Sequence, residues 1–566
     1  MSQKNVKILH EDLPILKLGS IYEAKLVKVS PLLKQSSPVK EQKSVPYKNL
    51  RNYLRQYCET TTIHGIRYIG ERGRLFLERL AWTTTWIFLC AYCLTLIHKA
   101  YVKWERSPVI VTFATQETSI SRIPFPAVTV CPDVKFDVEV FNFTRTLRKM
   151  VLGRKLTQQE KIHLPFASLI CKDAMELGNF TANLNRTLEN VASHLLEMLP
   201  EFDPLSTTTL KWMGRMLDYN DELILIPTPD GMCFTFNMLP FYQILRIKPD
   251  GDWHNYSTDL TKRTLSWSLE QGYSPGDDEH EYPRRTFVPG VNGGLTIRGI
   301  FTNDSHIDAL CMESLQGFKI ALHLPCEFPN MEKHFRLPLN QALLVAIKPS
   351  LITVSRELWN YPPSVRKCYF ANEKYLASFL VYTQQNCLDE CLANYTYSIC
   401  GCTPFYFALV NESVPVCGPG RDHCVKESKL NYLKIEGNSE SKEQQCECLP
   451  SCTSLSYDVE TSQSEWRWKK AFDAMNISRN KMCYSAHFST LYVYYKELLF
   501  LSCQRNELYG LLEFFSNMGG LLGLFIGFSV TSAVEILYFC TFRIMSNIKL
   551  YGIKSWSGTQ DSAKTK

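Results

Sequence analysis

The longest apolar run of the chain, residues 508–542, contains two carboxylates, Glu513 and Glu535. Its centre reads FFSNMGGLLGLFIGFSVTSAVEILYF (514–539). Gly519, Gly523 and Gly527 recur every four residues, Thr531 and Glu535 continue that spacing, and Ser516 and Gly520 flank it. On a helix this is one face of small residues ending in a carboxylate. Small residues four apart let helix backbones approach closely. So many glycines also weaken a helix, which suits backbone that opens where it lines water. A carboxylate at membrane depth is costly unless it meets water or a partner. A pore wall accounts for all three features, whereas helix packing accounts only for the first.

A second chemistry resides in cysteine. The chain has 21 Cys in 566 residues, and 17 of them lie between 131 and 503. Ten cluster at 368, 387, 391, 400, 402, 417, 424, 446, 448 and 452. C-x-C and C-x3-C spacings can bind zinc, but regular C-x2-C pairs are lacking, so disulfides in an oxidising compartment are expected. Cys387 and Cys391 are about one helical turn apart and can face one partner segment. Cys446 and Cys448 suit two rungs on an extended partner. Each such loop contributes ~3–4 kcal/mol in the chain-entropy model, and the stiffness suits a lever acting on the spans.

These residues need a frame. With 45% hydrophobic and 21% charged residues the chain is not wholly disordered. Residues 80–97 (LAWTTTWIFLCAYCLTLI) carry no charge and nearly span a bilayer. Residues 508–542 are too long for one untilted span. Both runs are too poorly patterned for amphipathic core helices. Net charge is +8 over residues 1–79, −6 over 80–542 and +4 over 543–566. The positive-inside rule then puts both termini in the cytoplasm. All eight N-x-S/T sequons, Asn142, Asn179, Asn185, Asn255, Asn303, Asn394, Asn411 and Asn476, lie between the runs. The expected order is a cytoplasmic region (1–79), a first span and signal anchor (80–98), a glycosylated outside domain (99–507), a second span (508–542) and a cytoplasmic tail (543–566).

The outside domain reads as α+β. VIVTF, AVTVC, FKIALHL, LLVAI, SLITVS and LYVYY read as strands. NVASHLLEMLPEF (190–202) and QSEWRWKKAFDAM (463–475) read as helices. SPGDDEHEY (274–282) reads as a solvated acidic loop rather than a cation or proton sensor.

Four stretches together resemble a degenerin/epithelial sodium channel family subunit, most like the insect pickpocket branch. They are His64-Gly65 before the first span, IPFPAVTVCP (123–132) after it, the spacing from Cys368 to Cys452, and GGLLGLFIGFSVTSAVEILYF (519–539). The resemblance implies a trimeric channel with two transmembrane helices per subunit. Gly527, Phe528 and Ser529 would form the selectivity filter, and Na⁺ would be the permeant ion, with no cofactor and no bound metal. Ser516 falls at the position where a small residue permits closure. His64 and Gly65 would tune gating. Asn517, Gly519, Gly520, Gly523 and Glu535 would line the pore. The implied disulfides are Cys131–Cys233, Cys368–Cys452, Cys387–Cys448, Cys391–Cys446, Cys400–Cys424 and Cys402–Cys417, which leaves Cys171, Cys311, Cys326, Cys483 and Cys503 unassigned.

There are departures. Phe528 is larger than the Ala or Ser common at the filter centre. Asn517 stands where acid-sensing members have Asp, and Val365 where they have Trp, so proton gating is not implied. An ATP-gated channel would lack FPAVTVCP and the Gly-x-Ser filter. An ecto-nucleotidase would need Gly-rich phosphate loops with Asp and Ser, and neither these nor other catalytic motifs occur. An adhesion subunit would not need a Gly-rich, interrupted second span. The basic tails are topology signals, not nucleic-acid sites. The sequence therefore points to a plasma-membrane, sodium-preferring, amiloride-sensitive channel subunit, homo- or heterotrimeric, in contact with membrane lipids. The branch suggests a sensory role in taste, pheromone, osmotic or mechanical detection. A non-conducting or auxiliary subunit needing a heteromeric partner is the alternative.

Overall fold

The computed structural model describes residues 46–106, 109–177, 180, 184–201, 208–247, 267–273, 282–311, 315–408, 413–437, 446–474, 485–553 and 556–558. The chain divides into two compact units, residues 95–518 and residues 1–94 with 519–566.

The larger unit is built on two sheets. In the first, the strands follow the order Val109–Phe113, Cys503–Glu507, Gln341–Val354, Ala486–Tyr495, Leu295–Asn303, Thr209–Trp212 and Arg215–Leu217. An eighth strand, Ser454–Glu465, pairs antiparallel with Gln341–Val354. LLVAI and SLITVS, read as two strands, are one strand of 14 residues. It pairs in parallel with Ala486–Tyr495 over 342–347 and with Cys503–Glu507 over 352–354. Pro349, which has no N–H to donate, falls in the gap between these partners, opposite Tyr457 of the antiparallel strand.

The second sheet is antiparallel, in the order His334–Leu337, Phe318–His323, Ala127–Pro132, Gly231–Phe236 and Leu223–Thr228. The IPFPAVTVCP segment supplies its central strand. Phe125 is wholly buried and meets Trp212 and Tyr495 edge-on at 4.8 and 5.6 Å. The hydroxyls of Tyr495 and Tyr457 both donate to the Pro124 carbonyl, at 2.8 and 3.1 Å.

The helical readings were partly displaced. NVASHLLEMLPEF contains the helix Val191–Glu197. In QSEWRWKKAFDAM the helix is confined to Trp468–Ala474. Gln463, Ser464 and Glu465 instead extend the strand, because Leu343, Ala342 and Gln341 offer them a ladder; sheet pairing overrides local propensity. The acidic loop 274–281 lies outside the described residues.

Among the described residues, seven disulfides tie this unit. Cys131–Cys233, Cys368–Cys452, Cys387–Cys448, Cys391–Cys446, Cys400–Cys424 and Cys402–Cys417 are bonded. So are Cys171 and Cys311, which the sequence left unassigned. Cys326 and Cys503 are free thiols, and Cys483 lies outside the described residues. Cys387, Cys391 and Cys400 share one helix, Gln384–Cys400, capped by Thr383 at its start and by Gly401 at φ 70° at its end.

Among the sequons, Asn185 and Asn394 are exposed and Asn142 is half-buried as a helix cap. Asn303 is buried, and its Oδ1 accepts from the Ser305 N–H and the Ser485 hydroxyl. It is a poor glycan acceptor, contrary to the sequence reading. Asn179, Asn255, Asn411 and Asn476 lie outside the described residues.

Phe76–Arg106 is a single helix of 31 residues, long and apolar enough to cross a membrane. It extends the predicted span at both ends. The second apolar run forms two helices, Leu511–Ile526 and Val530–Cys540, and a third, Phe542–Tyr551, follows. The run bends by 72° at the break and counts as a second candidate span only if the bent pair is taken together. Pro46–Thr60 is a further helix of the smaller unit.

Candidate functional site

Gly527, Phe528 and Ser529 occupy the break, and each residue has a local role there. Gly527 has φ +69°, the left-handed region that suits glycine. Its N–H donates to the Gly523 carbonyl at 3.0 Å, the single-bond form of a glycine helix end. The Phe528 N–H reaches back to the Leu522 carbonyl at 3.2 Å. Ser529 is extended and starts the next helix. Its Oγ accepts from the Ser532 N–H at 3.3 Å, and its own N–H donates to the Ser532 Oγ at 3.2 Å. This is a capping box with serine in both places.

The continuous small-residue face expected from Gly519 to Glu535 therefore does not exist. Gly519 and Gly523 lie on one helix, Thr531 and Glu535 on another, and the turn at Gly527 separates them. An added Cβ at Gly519, Gly520 or Gly523 would meet nothing within 4 Å. Ser516 is exposed on the first of these helices. Asn517, one residue on, donates from Nδ2 to the Tyr509 hydroxyl at 2.8 Å.

The loop around His64 packs against the break. The His64 N–H donates to the Ile526 carbonyl at 2.9 Å, satisfying an orphan acceptor of a helix end. A Cβ at Gly527 would lie 2.5, 2.6 and 2.7 Å from His64 Cγ, Nδ1 and Cδ2. Gly65, at φ +84°, turns the chain beside Trp86, whose Cδ1 would be 3.3 Å from an added Cβ. The Thr62 N–H and hydroxyl both donate to Glu535 Oε2, at 3.1 Å each. Thr62 Oγ1 also lies 2.9 Å from the Oγ of Ser532, which is fully buried. Below this, the Tyr53 hydroxyl donates to the Phe539 carbonyl, and Tyr57 meets the Phe539 ring edge-on at 5.1 Å.

The structure thus gathers His64, Gly65, Gly527, Ser529 and Glu535 in one unit. The sequence reading missed Thr62, Ser532 and Tyr53. Ser529, Ser532 and Glu535 recur every three residues, a polar stripe along the helix; that was the available signal for Ser532. Nothing local marked Thr62. In chemical terms the arrangement is a broken helix whose open carbonyl end and Glu535 carboxylate are both met by donors from the amino-terminal loop.

A family profile described as "Amiloride-sensitive sodium channel" matches residues 57–539, a span that contains the loop, the first apolar run, the second run up to Phe539 and the seven disulfides found among the described residues. The chain is 28% identical to Pickpocket protein 28 of Drosophila melanogaster over 498 residues, covering 86% of this chain and 78% of that protein. It is 23% identical to Sodium channel protein Nach of the same organism over 515 residues, covering 88% and 89%. Epithelial sodium channel subunit gamma of Pelodiscus sinensis is 22% identical over 606 residues, covering 94% and 85%. Members of this family are plasma-membrane sodium and cation channels with a disulfide-rich extracellular domain, and they are not enzymes. The broken apolar run, the disulfide-rich unit and the match across most of the chain lead to one conclusion: this protein belongs to the amiloride-sensitive sodium channel family.

Proposed function

We propose that the chain is a pore-forming, sodium-preferring and amiloride-sensitive subunit, working as a homo- or heterotrimer with related subunits in contact with membrane lipids. In this reading both termini are cytoplasmic, residues 99–507 face outward, and the two apolar runs cross the membrane. Gly527, Phe528 and Ser529 form the filter, where backbone carbonyls replace part of the Na⁺ hydration shell. The observation that carries the reading is the three-residue break, with a left-handed glycine that ends one helix and a serine that caps the next. The open space beside Gly519, Gly520 and Gly523 supports close approach of neighbouring subunits. Glu535 lines the inner side of the pore, and His64, Gly65 and Ser516 govern gating. A sensory role follows from likeness to the pickpocket proteins.

The test is Ser516→Val expressed in oocytes, with amiloride-sensitive current recorded as Na⁺ is replaced by K⁺ or a large organic cation. A constitutive current that falls on Na⁺ removal is the expected result. Absence of current with the protein at the surface would overturn a self-sufficient channel. Current appearing only on co-expression with a related subunit would make it an obligate heteromer; continued silence would make it non-conducting.

A further inference from the structure

In the disulfide-rich unit, three side chains have the composition of a metal site. His163 stands on the helix Gln158–Ala167, while His194 and Glu197 stand one turn apart on Val191–Glu197. One donor atom from each lies within 4.8 Å of the other two. His163 Nε2 is 4.0 Å from Glu197 Oε1, and His194 Nδ1 is 3.7 Å from Glu197 Oε2. Both separations exceed a hydrogen bond.

His163 is only 4% exposed, and its Nδ1 has no hydrogen-bond partner among the described residues; the same holds for His194 Nδ1. Buried polar atoms ordinarily have partners; for His194 the unpartnered Nδ1 is the atom that faces Glu197, while His163 faces it with Nε2. The ring planes are held in place: Phe166 stacks on His194 at 4.1 Å, and Phe141 meets His163 edge-on at 6.0 Å. Glu197 has 59% of its side chain exposed, which gives an ion a path from solvent.

We propose that His163, His194 and Glu197 form a site for a borderline divalent transition ion, with Zn²⁺ as the type and water as the remaining ligand. Two imidazoles and one carboxylate suit zinc rather than the hard cations Ca²⁺ and Mg²⁺, which take oxygen. Tetrahedral bonds of ~2.0–2.1 Å set donors about 3.3 Å apart, so three donors that lie within 4.8 Å of one another need to close by at most about 1.5 Å. The ion ties two helices that no disulfide joins to each other among the described residues.

The test uses the full chain in detergent, stripped by chelator and titrated with Zn²⁺ against a competing chromophore. His194→Gln and Glu197→Gln are the variants, since both side chains are partly exposed and neither fills the core. One Zn²⁺ per chain is expected, with a rise in unfolding temperature. Each variant is expected to weaken binding by more than the ~10–100-fold typical of an outer-shell partner, while its metal-free unfolding temperature stays at the wild-type value. Co²⁺ bound to the wild type is expected to give visible bands without thiolate charge transfer. No bound Zn²⁺, binding unchanged in both variants, or a thiolate band from the free cysteines would each overturn the site.

Discussion

Gly527 faces the His64 ring so closely that a Cβ added to it would lie 2.5 Å from His64 Cγ. Gly527→Ala therefore carries two costs. The left-handed backbone costs a side chain ~1–2 kcal/mol, and the imidazole must move as well. Loss of most of the amiloride-sensitive current at unchanged surface level is expected. His64→Ala in the same chain relieves the contact but not the backbone strain, so the double variant regains part of the current. Additive losses in the double-variant cycle would show that the two residues are uncoupled.

Thr62→Val keeps the backbone N–H on Glu535 but removes the hydroxyl shared with Glu535 and Ser532. The buried Ser532 hydroxyl then keeps only its Ser529 contacts, at 3.2 Å, and Glu535 loses one of two donors, a net loss of about 1 kcal/mol per hydrogen bond. The variant is expected to discriminate less between Na⁺ and K⁺, read as a shifted reversal potential, while Thr62→Ser retains the wild-type value. Equal behaviour of Val and Ser would remove the hydroxyl from the argument.

Glu327 supplies a pH dependence in the outer unit. Burial is the largest influence and pushes its carboxyl up to about 7; Asp389 adds to the rise, and the Thr383 hydroxyl, the Leu324 backbone and Lys333 oppose it. The folded state thus holds a proton that the unfolded chain releases near the ordinary glutamate value of 4.5. Stability is then fully present below about 4.5, falls as pH rises toward 7, and levels off above, by about 3 kcal/mol at most. Glu327→Gln is expected to match the wild type at pH 4.5 and to exceed it in unfolding temperature at pH 7.5. A constant offset between the two at every pH would refute the assignment.

Cys368–Cys452 closes a separation of 84 residues. Replacing both cysteines by Ala is expected to cost roughly 4–5 kcal/mol in the chain-entropy model. Reduced surface delivery and a lower unfolding temperature of the purified chain would register it; an unchanged unfolding temperature would count against a structural role.

The sequence made some of this legible for physical reasons. Cys387 and Cys391 are one helical turn apart, and Cys448 and Cys446 follow each other on their partner segment, so the ladder is a local pattern. Gly527 could be singled out only through the family resemblance, which implies a filter there; the length of the 35-residue run alone left open whether it extends beyond the bilayer or breaks inside it. By contrast, Cys171 and Cys311 are 140 residues apart with no spacing to link them. The continuous face from Gly519 to Glu535 assumed an unbroken helix, and the αL turn redirects it. Pro349 made one strand look like two, because its missing N–H is harmless only where the strand changes partners. Gln463 to Glu465 have helical propensity, but the strand beside them decided their state. Thr62 carries no local mark at all, since its partner is distant in the chain.

That distance has a consequence for biosynthesis. Thr62 and Glu535 are 473 residues apart. At ~5–20 residues per second the ribosome reaches Glu535 about 25–95 s after Thr62. During that interval the amino-terminal loop has none of its second-helix partners, and the disulfide-rich unit is made in between. The break is therefore completed only after the disulfide-rich unit has been made, and its completion reports that synthesis has passed Glu535. A chain terminated before residue 526 would leave His64 and Thr62 with exposed donors, a local difference by which cellular quality control could tell finished subunits from fragments.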